Sequence, residues 1–239
     1  MLTLTLLAIF TLPPDLDRQL QSCADLQIAV PSSVSQCRLF VPTGDAKKRY
    51  PLVVFRHGGG GRGVANEHLR EGNGMLVQMF VGAESQRRFP AFVLAPQTSS
   101  AHDARAVLAL VDAIVRRYPV DRSRLYLFGQ SLGGFGAWDV LSLAPNRFAA
   151  AVIIAAGGDA AKARRFSKTP VWFFHGERDA VIPVDSARRM ADALRRAGGT
   201  VRLTEYPGEG HGLAWLVVRE NELVPWLFQW TRDLHRSSP

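Results

Sequence analysis

A glycine-rich segment, Gly129-Gln130-Ser131-Leu132-Gly133-Gly134, constrains the fold of this chain more than any other feature. The run before it, 125–128, is apolar and β-prone, and the run after it has helical apolar spacing. A G-x-S-x-G pattern in this context is typical of a tight strand-to-helix turn that holds a serine above a sheet. On such a turn the serine backbone is strained, and side chains at Gly129 or Gly133 would collide with neighbouring elements. The segment therefore predicts Ser131 as a nucleophile.

The rest of the chain alternates short apolar runs with longer runs of helical periodicity. The predicted strands are 52–55, 92–95, 125–128, 151–155, 171–174 and 201–206. Two helix faces are marked by Val107, Leu108, Val111, Ile114 and Val115, and by Met190, Ala193, Leu194 and Ala197. Near-continuously apolar strands separated by helices predict an α/β fold, with a mostly parallel sheet covered on both faces. No linker-like stretch divides the chain, so we expect one domain over residues 1–239.

A serine hydroxyl needs a base to activate it and an acid to orient that base. On a sheet of this kind the three groups follow in the order serine, acid, histidine. The strand 171–174 runs into a loop that contains Asp179, and the strand 201–206 runs into a loop that contains His211 between two glycines. We predict these two as acid and base, at the sheet edge where α/β folds place their sites. The competing acids are Glu177, Asp159 and Asp185.

A second glycine-rich segment, 56–61, follows the predicted strand 52–55 directly. Acyl transfer builds negative charge on a carbonyl oxygen, and backbone N–H groups have to point at that oxygen in advance. We predict the N–H of Leu132 as one donor and the N–H of Gly59 as the other. A merely flexible loop and a phosphate cradle are the alternatives, although the Lys-Ser/Thr of a P-loop is absent.

Six segments of the chain, in this order, resemble the α/β-hydrolase superfamily. They are PLVVFRHGGGGRG, FPAFVLAPQ, VDRSRLYLFGQSLGGFGAWDV, NRFAAAV, PVWFFHGERDAVIPVDSARRM and VRLTEYPGEGHG. More narrowly, they look like compact carboxylesterases related to feruloyl esterases, polyhydroxybutyrate depolymerases and predicted peptidases. The match covers about residues 49–212. It implies the same nucleophile, acid, base and oxyanion donors as the residues themselves. By family analogy it adds four candidate cleft residues, for which core packing is the alternative: Gln97, Phe135, Trp138 and Trp215.

The resemblance implies a serine esterase that works through an acyl-enzyme and needs no metal or organic cofactor. The connection 156–170 is too short for a lid domain, so we expect an open cleft. That cleft favours short-chain or aromatic acyl groups, on small molecules or on polymers. A serine peptidase of the same fold and a non-catalytic binding protein are the alternatives.

The N-terminal region and the two cysteines leave alternatives open. Residues 1–25 are either an export signal or an extra N-terminal strand. A hairpin that pairs 26–30 with 36–41 would bring Cys23 opposite Cys37, where they form a disulfide or remain two free thiols. A disulfide favours an oxidising compartment and hence a secreted or periplasmic protein. No apolar run reaches the roughly 18–20 residues of a membrane-spanning helix.

The chain is basic, with 29 Lys and Arg against 21 Asp and Glu and a net charge of +8. The arginine pairs are dispersed along the sequence, and acids accompany several of them. No aromatic-interleaved basic stripe or nucleic-acid-reading motif is present. We therefore expect a solvated basic surface, no nucleic-acid partner, and a monomer or small homo-oligomer; attraction to an anionic polymer or surface is the alternative.

Overall fold

Eight strands form one sheet in the computed structural model, which describes residues 19–45, 47–62, 69, 71–99 and 103–232. The strands are β1 (Gln21–Ser22), β2 (Val34–Phe40), β3 (Tyr50–Arg56), β4 (Phe92–Thr98), β5 (Val120–Gln130), β6 (Ala150–Ile154), β7 (Val171–Gly176) and β8 (Val201–Tyr206). Their order across the sheet is β1-β2-β4-β3-β5-β6-β7-β8. β2 runs antiparallel to β1 and β4, and all the other neighbours are parallel.

Helices cover both faces of this sheet. They are α1 (Glu71–Val81), α2 (Ala83–Arg88), α3 (Ala104–Arg117), α4 (Leu132–Leu143), α5 (Asp185–Arg196), α6 (Ala214–Val217) and α7 (Leu223–Phe228), with 3₁₀ turns at Gly59–Gly61 and Ala160–Phe166. Side chains alternate along β3: Leu52 and Val54 belong to the core that includes α3, α4 and α5, whereas Val53 and Phe55 belong to the core that includes α1, α6 and α7. Every residue of β3 is therefore buried, because a sheet covered on both sides leaves no solvated face.

The predicted α/β fold is confirmed, and each predicted strand overlaps an observed one. Most observed strands extend a residue or more beyond their apolar runs, since neighbouring strands continue the hydrogen-bond ladder past the apolar segment. The run 151–155 is the exception at its end, because Ala155 has a φ of 47° and leaves the strand. The connection between β6 and β7 holds only the 3₁₀ turn Ala160–Phe166, so no lid domain lies there.

The predicted hairpin between 26–30 and 36–41 is wrong. Residues 26–30 form a turn and irregular chain, and Gln27 has a φ of 53°. β2 instead completes the open edge of β4 and takes the two-residue β1 on its other side. Cys23 still lies opposite Cys37, with its N–H 2.8 Å from the Cys37 carbonyl, and the two are joined by a disulfide.

Only the end of the N-terminal region, for which an export signal and an extra strand are the alternatives, lies within the described residues. Residues 1–18 lie outside the described residues, and within 19–25 the chain forms β1. None of the helices within the described ranges is both long and apolar enough to cross a membrane.

Candidate active site

Ser131 occupies the turn between β5 and α4, at the carboxyl edge of the parallel strands. Its φ of 51° and ψ of −115° are strained for a residue with a side chain. A Cβ at Gly129 would lie 2.5 Å from the Gly133 carbonyl oxygen, and a Cβ at Gly133 would lie 2.2 Å from the Arg56 carbonyl oxygen. The predicted collisions at both glycines are therefore present, and they explain why this turn accepts no side chain at either position.

His211 bridges Ser131 and Asp179. Its Nε2 lies 2.8 Å from Ser131 Oγ, and its Nδ1 lies 2.7 Å from Asp179 Oδ2. Because an ionised carboxylate can only accept, Nδ1 carries the proton and Nε2 accepts from the serine hydroxyl. The Asp179 side chain is fully buried, whereas the His211 side chain is 26% exposed. The arrangement can therefore remove a proton from Ser131 at a surface that a ligand can reach.

Asp179 is held by the turn that follows β7. Its Oδ1 accepts hydrogen bonds from the N–H groups of Val181 at 2.9 Å and Ile182 at 2.8 Å. Burial alone would raise the pKa of Asp179, but the hydrogen bonds from Ile182, His211 and Val181 outweigh it and hold the pKa below its ordinary value. Asp179 is therefore an anion at neutral pH.

The loop that carries His211 is docked directly on the end of β7. A Cβ at Gly176 would lie 2.2 Å from the Gly210 carbonyl oxygen, so only glycine permits this approach. The Arg178 N–H donates to the Glu209 carbonyl at 2.8 Å. These contacts fix the acid and base loops relative to each other, although the two side chains are 32 residues apart in sequence.

The glycine-rich loop after β3 lies against the start of α4. The carbonyls of Arg56 and His57 face Gly133, and the Gly58 N–H donates to Asn73 Oδ1 at 2.9 Å. Gly59 opens the following 3₁₀ turn, and Leu132 is the first residue of α4. The first N–H groups of a helix have no partner within the helix, so these positions suit donation to an anion.

A buried network supports this loop from below. The His57 ring accepts from the Thr98 N–H at Nε2 and donates from Nδ1 to the Gly58 carbonyl, at 2.9 and 2.8 Å. Arg56 forms a buried ion pair with Asp103, at 2.5 Å. Burial lowers the pKa of the Arg56 guanidinium, and the Asp103 carboxylate partly offsets this effect. These supporting roles were not predicted from the sequence, and for Asp103 no motif signals one.

Two of the predicted cleft residues are in the interior, so that prediction is wrong for them. Gln97 is fully buried and donates to the Gly61 carbonyl at 2.8 Å, which makes it a support of the glycine loop. Trp138 donates its indole N–H to the Gly157 carbonyl at 2.7 Å. Its ring packs on Phe166 and Phe173 in the core. Both side chains are long enough to reach buried partners that local sequence does not reveal.

The other two predicted cleft residues are at the surface. Phe135 is 37% exposed on the first turn of α4, and Trp215 is 38% exposed on α6. Val181, which was not predicted as a cleft residue, is 68% exposed two residues after the acid. Within the described part of the chain, no three His, Cys, Asp or Glu side chains are grouped as a metal site.

Chains with this sheet order, and with a serine, an acid and a histidine at the ends of three strands, are α/β-hydrolases. Comparison with known proteins agrees. The sequence profile of the dienelactone hydrolase family matches residues 79–219, more than half of the chain, and the chain belongs to that family. The narrower likeness to feruloyl esterases and polyhydroxybutyrate depolymerases stays a prediction.

Solved structures and a curated protein give further similarity. A thermostable esterase is 35% identical with a TM-score of 0.74, over 82% of this chain and 59% of the esterase. The Mycobacterium tuberculosis puromycin-hydrolyzing peptidase is 18% identical with a TM-score of 0.66, over 89% of this chain and 40% of the peptidase, which shows the shared fold. Acyl-protein thioesterase 1 of Gibberella zeae is 41% identical over 44 residues, which are 18% of this chain and 19% of the thioesterase. The chain thus spans less than two thirds of these relatives.

Proposed function

We propose that this protein hydrolyses carboxylic esters through an acyl-enzyme on Ser131. The observation that carries the proposal is the position of His211, with one ring nitrogen on Ser131 Oγ and the other on the buried Asp179 carboxylate. A binding protein would need neither contact. The esterase at 35% identity supports ester rather than amide chemistry, and the peptidase at 18% identity shares the fold.

Acylation starts when Ser131 Oγ attacks the ester carbonyl carbon and His211 Nε2 takes the hydroxyl proton. The carbonyl π electrons move to oxygen, and the N–H groups of Gly59 and Leu132 bind that oxyanion. The dipole of α4 favours the same charge. When the C–O bond to the alcohol breaks, His211 returns its proton to the leaving oxygen.

Deacylation repeats these steps with water. His211 removes a proton from water, and the oxygen attacks the acyl carbon. The bond to Ser131 Oγ then breaks, the carboxylic acid leaves, and the proton returns to the serine. Asp179 keeps the His211 Nδ1–H in place throughout and stabilises the imidazolium in each half-reaction.

The pH dependence of ester hydrolysis should reflect the uptake of a single proton. We expect kcat/KM to decline towards acid pH, because a base that already carries a proton cannot accept the proton of Ser131. The pKa of Asp179 lies below its ordinary carboxyl value, so this group stays ionised while activity is lost. The plot of log kcat/KM against pH should therefore have a slope of about one on its acidic side. A flat profile down to pH 4, or a slope of two, would contradict these roles.

Exposed apolar side chains close in sequence to the three groups support a substrate with a short or aromatic acyl group. The large exposed hydrophobic residues in the described ranges are Phe135, Leu143, Val181 and Trp215. Three of these lie within four residues of Ser131, Asp179 or His211 in sequence. We call Phe135, Val181 and Trp215 the apolar rim. Exposed apolar residues grouped near a reactive site are typical of a ligand-binding surface, whereas single ones are common everywhere.

Shortening a side chain of the apolar rim should change the preference for the acyl group of the ester. With Phe135→Ala or Trp215→Ala, we expect kcat/KM for a benzoate or butyrate ester to fall about tenfold relative to the acetate ester. The measurement is a rate series on 4-nitrophenyl esters that differ only in the acyl group. Leu143→Ala is the matched control, because Leu143 is an exposed apolar residue at the far end of α4. An equal loss in the control, or an unchanged ratio in both rim variants, would contradict this assignment.

The proposed function is tested by reaction with a fluorophosphonate, which phosphonylates activated serines. We expect one adduct by intact mass, mapped to Ser131 by peptide analysis, and slower labelling in the presence of an ester substrate. Rates on an ester and an amide with the same acyl group then separate esterase from peptidase. The absence of an adduct would overturn the proposal in favour of a binding protein, and faster amide cleavage would favour the peptidase.

A further inference from the structure

A second histidine, which the steps above do not use, lies against the same carboxylate. His175 is the penultimate residue of β7 and is fully buried. Its Nε2 lies 2.8 Å from the Ile182 carbonyl oxygen and 3.2 Å from Asp179 Oδ2. The acid therefore has an imidazole on each side, His211 towards the surface and His175 towards the core.

The partners of His175 determine where its proton is. A backbone carbonyl and an ionised carboxylate can only accept hydrogen bonds, so Nε2 carries the proton. The other nitrogen, Nδ1, is buried and has no hydrogen-bond partner among the described residues. An unpaired buried nitrogen is destabilising, and an apolar side chain would fill the same space without it. Packing alone therefore does not explain a histidine at this position.

The Nε2–H of His175 closes the turn that carries Asp179. Both backbone groups of Ile182 are hydrogen-bonded: its N–H donates to Asp179 Oδ1 at 2.8 Å, and its carbonyl accepts from His175. The Val181 N–H also binds Oδ1, so this oxygen is fixed by two backbone donors. Oδ2 is left facing His211 with His175 beside it, which restricts rotation of the carboxylate.

We propose that His175 is a positioning residue, which holds the Asp179 carboxylate in the orientation that His211 requires. This inference rests on the proposed function, since its value to the protein is the alignment of the base. His175 does not reach the substrate, because it is fully buried behind Asp179. Its effect should therefore be on kcat rather than on KM.

The test compares His175→Gln with His175→Asn. The glutamine amide nitrogen reaches the place of Nε2 and keeps the donor, whereas the asparagine amide is one bond shorter and does not reach it. We expect His175→Gln to keep kcat within about threefold of wild type and His175→Asn to lose about 10²-fold. KM should change little in both. Rates are divided by the number of fluorophosphonate-reactive sites, so that misfolded protein does not contribute.

A second readout needs no substrate. The proton in the His211 Nδ1–H···Asp179 bond should give a downfield NMR resonance in wild type and His175→Gln that is shifted or lost in His175→Asn. Wild-type kcat per site in His175→Asn, or an equal loss in both variants, would overturn the inference. If wild type proves inactive on esters, the proposed function fails, and an unchanged resonance in His175→Asn would separately overturn the positioning role.

Discussion

Replacing Ser131 with alanine is expected to lower kcat for ester hydrolysis by about 10³–10⁶-fold. The change removes the oxygen that forms the acyl-enzyme, whereas the glycine loop and the start of α4 remain. The residual rate should reflect binding and oxyanion stabilisation alone. The measurement is the steady-state rate on a 4-nitrophenyl ester, with thermal unfolding to show that the variant is folded.

A matched control for this variant lies on the same helix. Ser142 is in the last turn of α4, and its buried Oγ has no hydrogen-bond partner among the described residues. Ser142→Ala should therefore keep its activity and its fluorophosphonate adduct. Undiminished hydrolysis by a folded Ser131→Ala protein would refute the assignment of the nucleophile.

The second large effect is expected from Asp179→Asn, with a decrease in kcat of about 10⁴-fold. Because Val181 and Ile182 donate to Oδ1, the asparagine oxygen should take that place and its NH₂ group should face His211. An NH₂ group donates to Nδ1 and so moves the ring proton to Nε2. His211 could then no longer accept the proton of Ser131, although every side chain would be near its original position.

Asp185→Asn is the control for this effect, because Asp185 competed with Asp179 as a candidate acid. Its side chain is 64% exposed and pairs with Arg188 at 2.9 Å, on the first turn of α5. We expect less than a twofold change in kcat for that variant, since exposed ion pairs contribute little. Comparable losses in the two variants would show that the structure around Asp179 has no special role in activity.

The strands and their cover of helices could be predicted because burial on both faces requires continuous apolar runs. Residues 52–55 are apolar at every position, and their side chains divide alternately between the two cores. The N-terminal hairpin could not be predicted in the same way. β2 pairs with β4, more than fifty residues further along the chain, and local spacing carries no information on that partner.

In the candidate site, too, some features could be predicted from the sequence and others could not. Ser131, Asp179 and His211 could be selected because each lies in a glycine-bearing loop after a predicted strand, and the structure brings these three together. Their catalytic role stays a prediction. Gln97 and Trp138 were misplaced because sequence does not indicate whether a polar or aromatic side chain on a strand or helix beside the site faces the cleft or the core.

Local sequence was sufficient to predict the α/β fold, the strand-to-helix turn at Ser131, and the loops that carry its two partners. These features depend on local apolar periodicity and on glycines that backbone geometry requires. The residues that hold these features in place are evident from the folded chain alone. They are the Arg56–Asp103 ion pair, the hydrogen bond from Gln97 to Gly61, and His175 behind Asp179. These are contacts between groups on different segments or across a turn, so they depend on how the chain is packed and leave no pattern in the sequence.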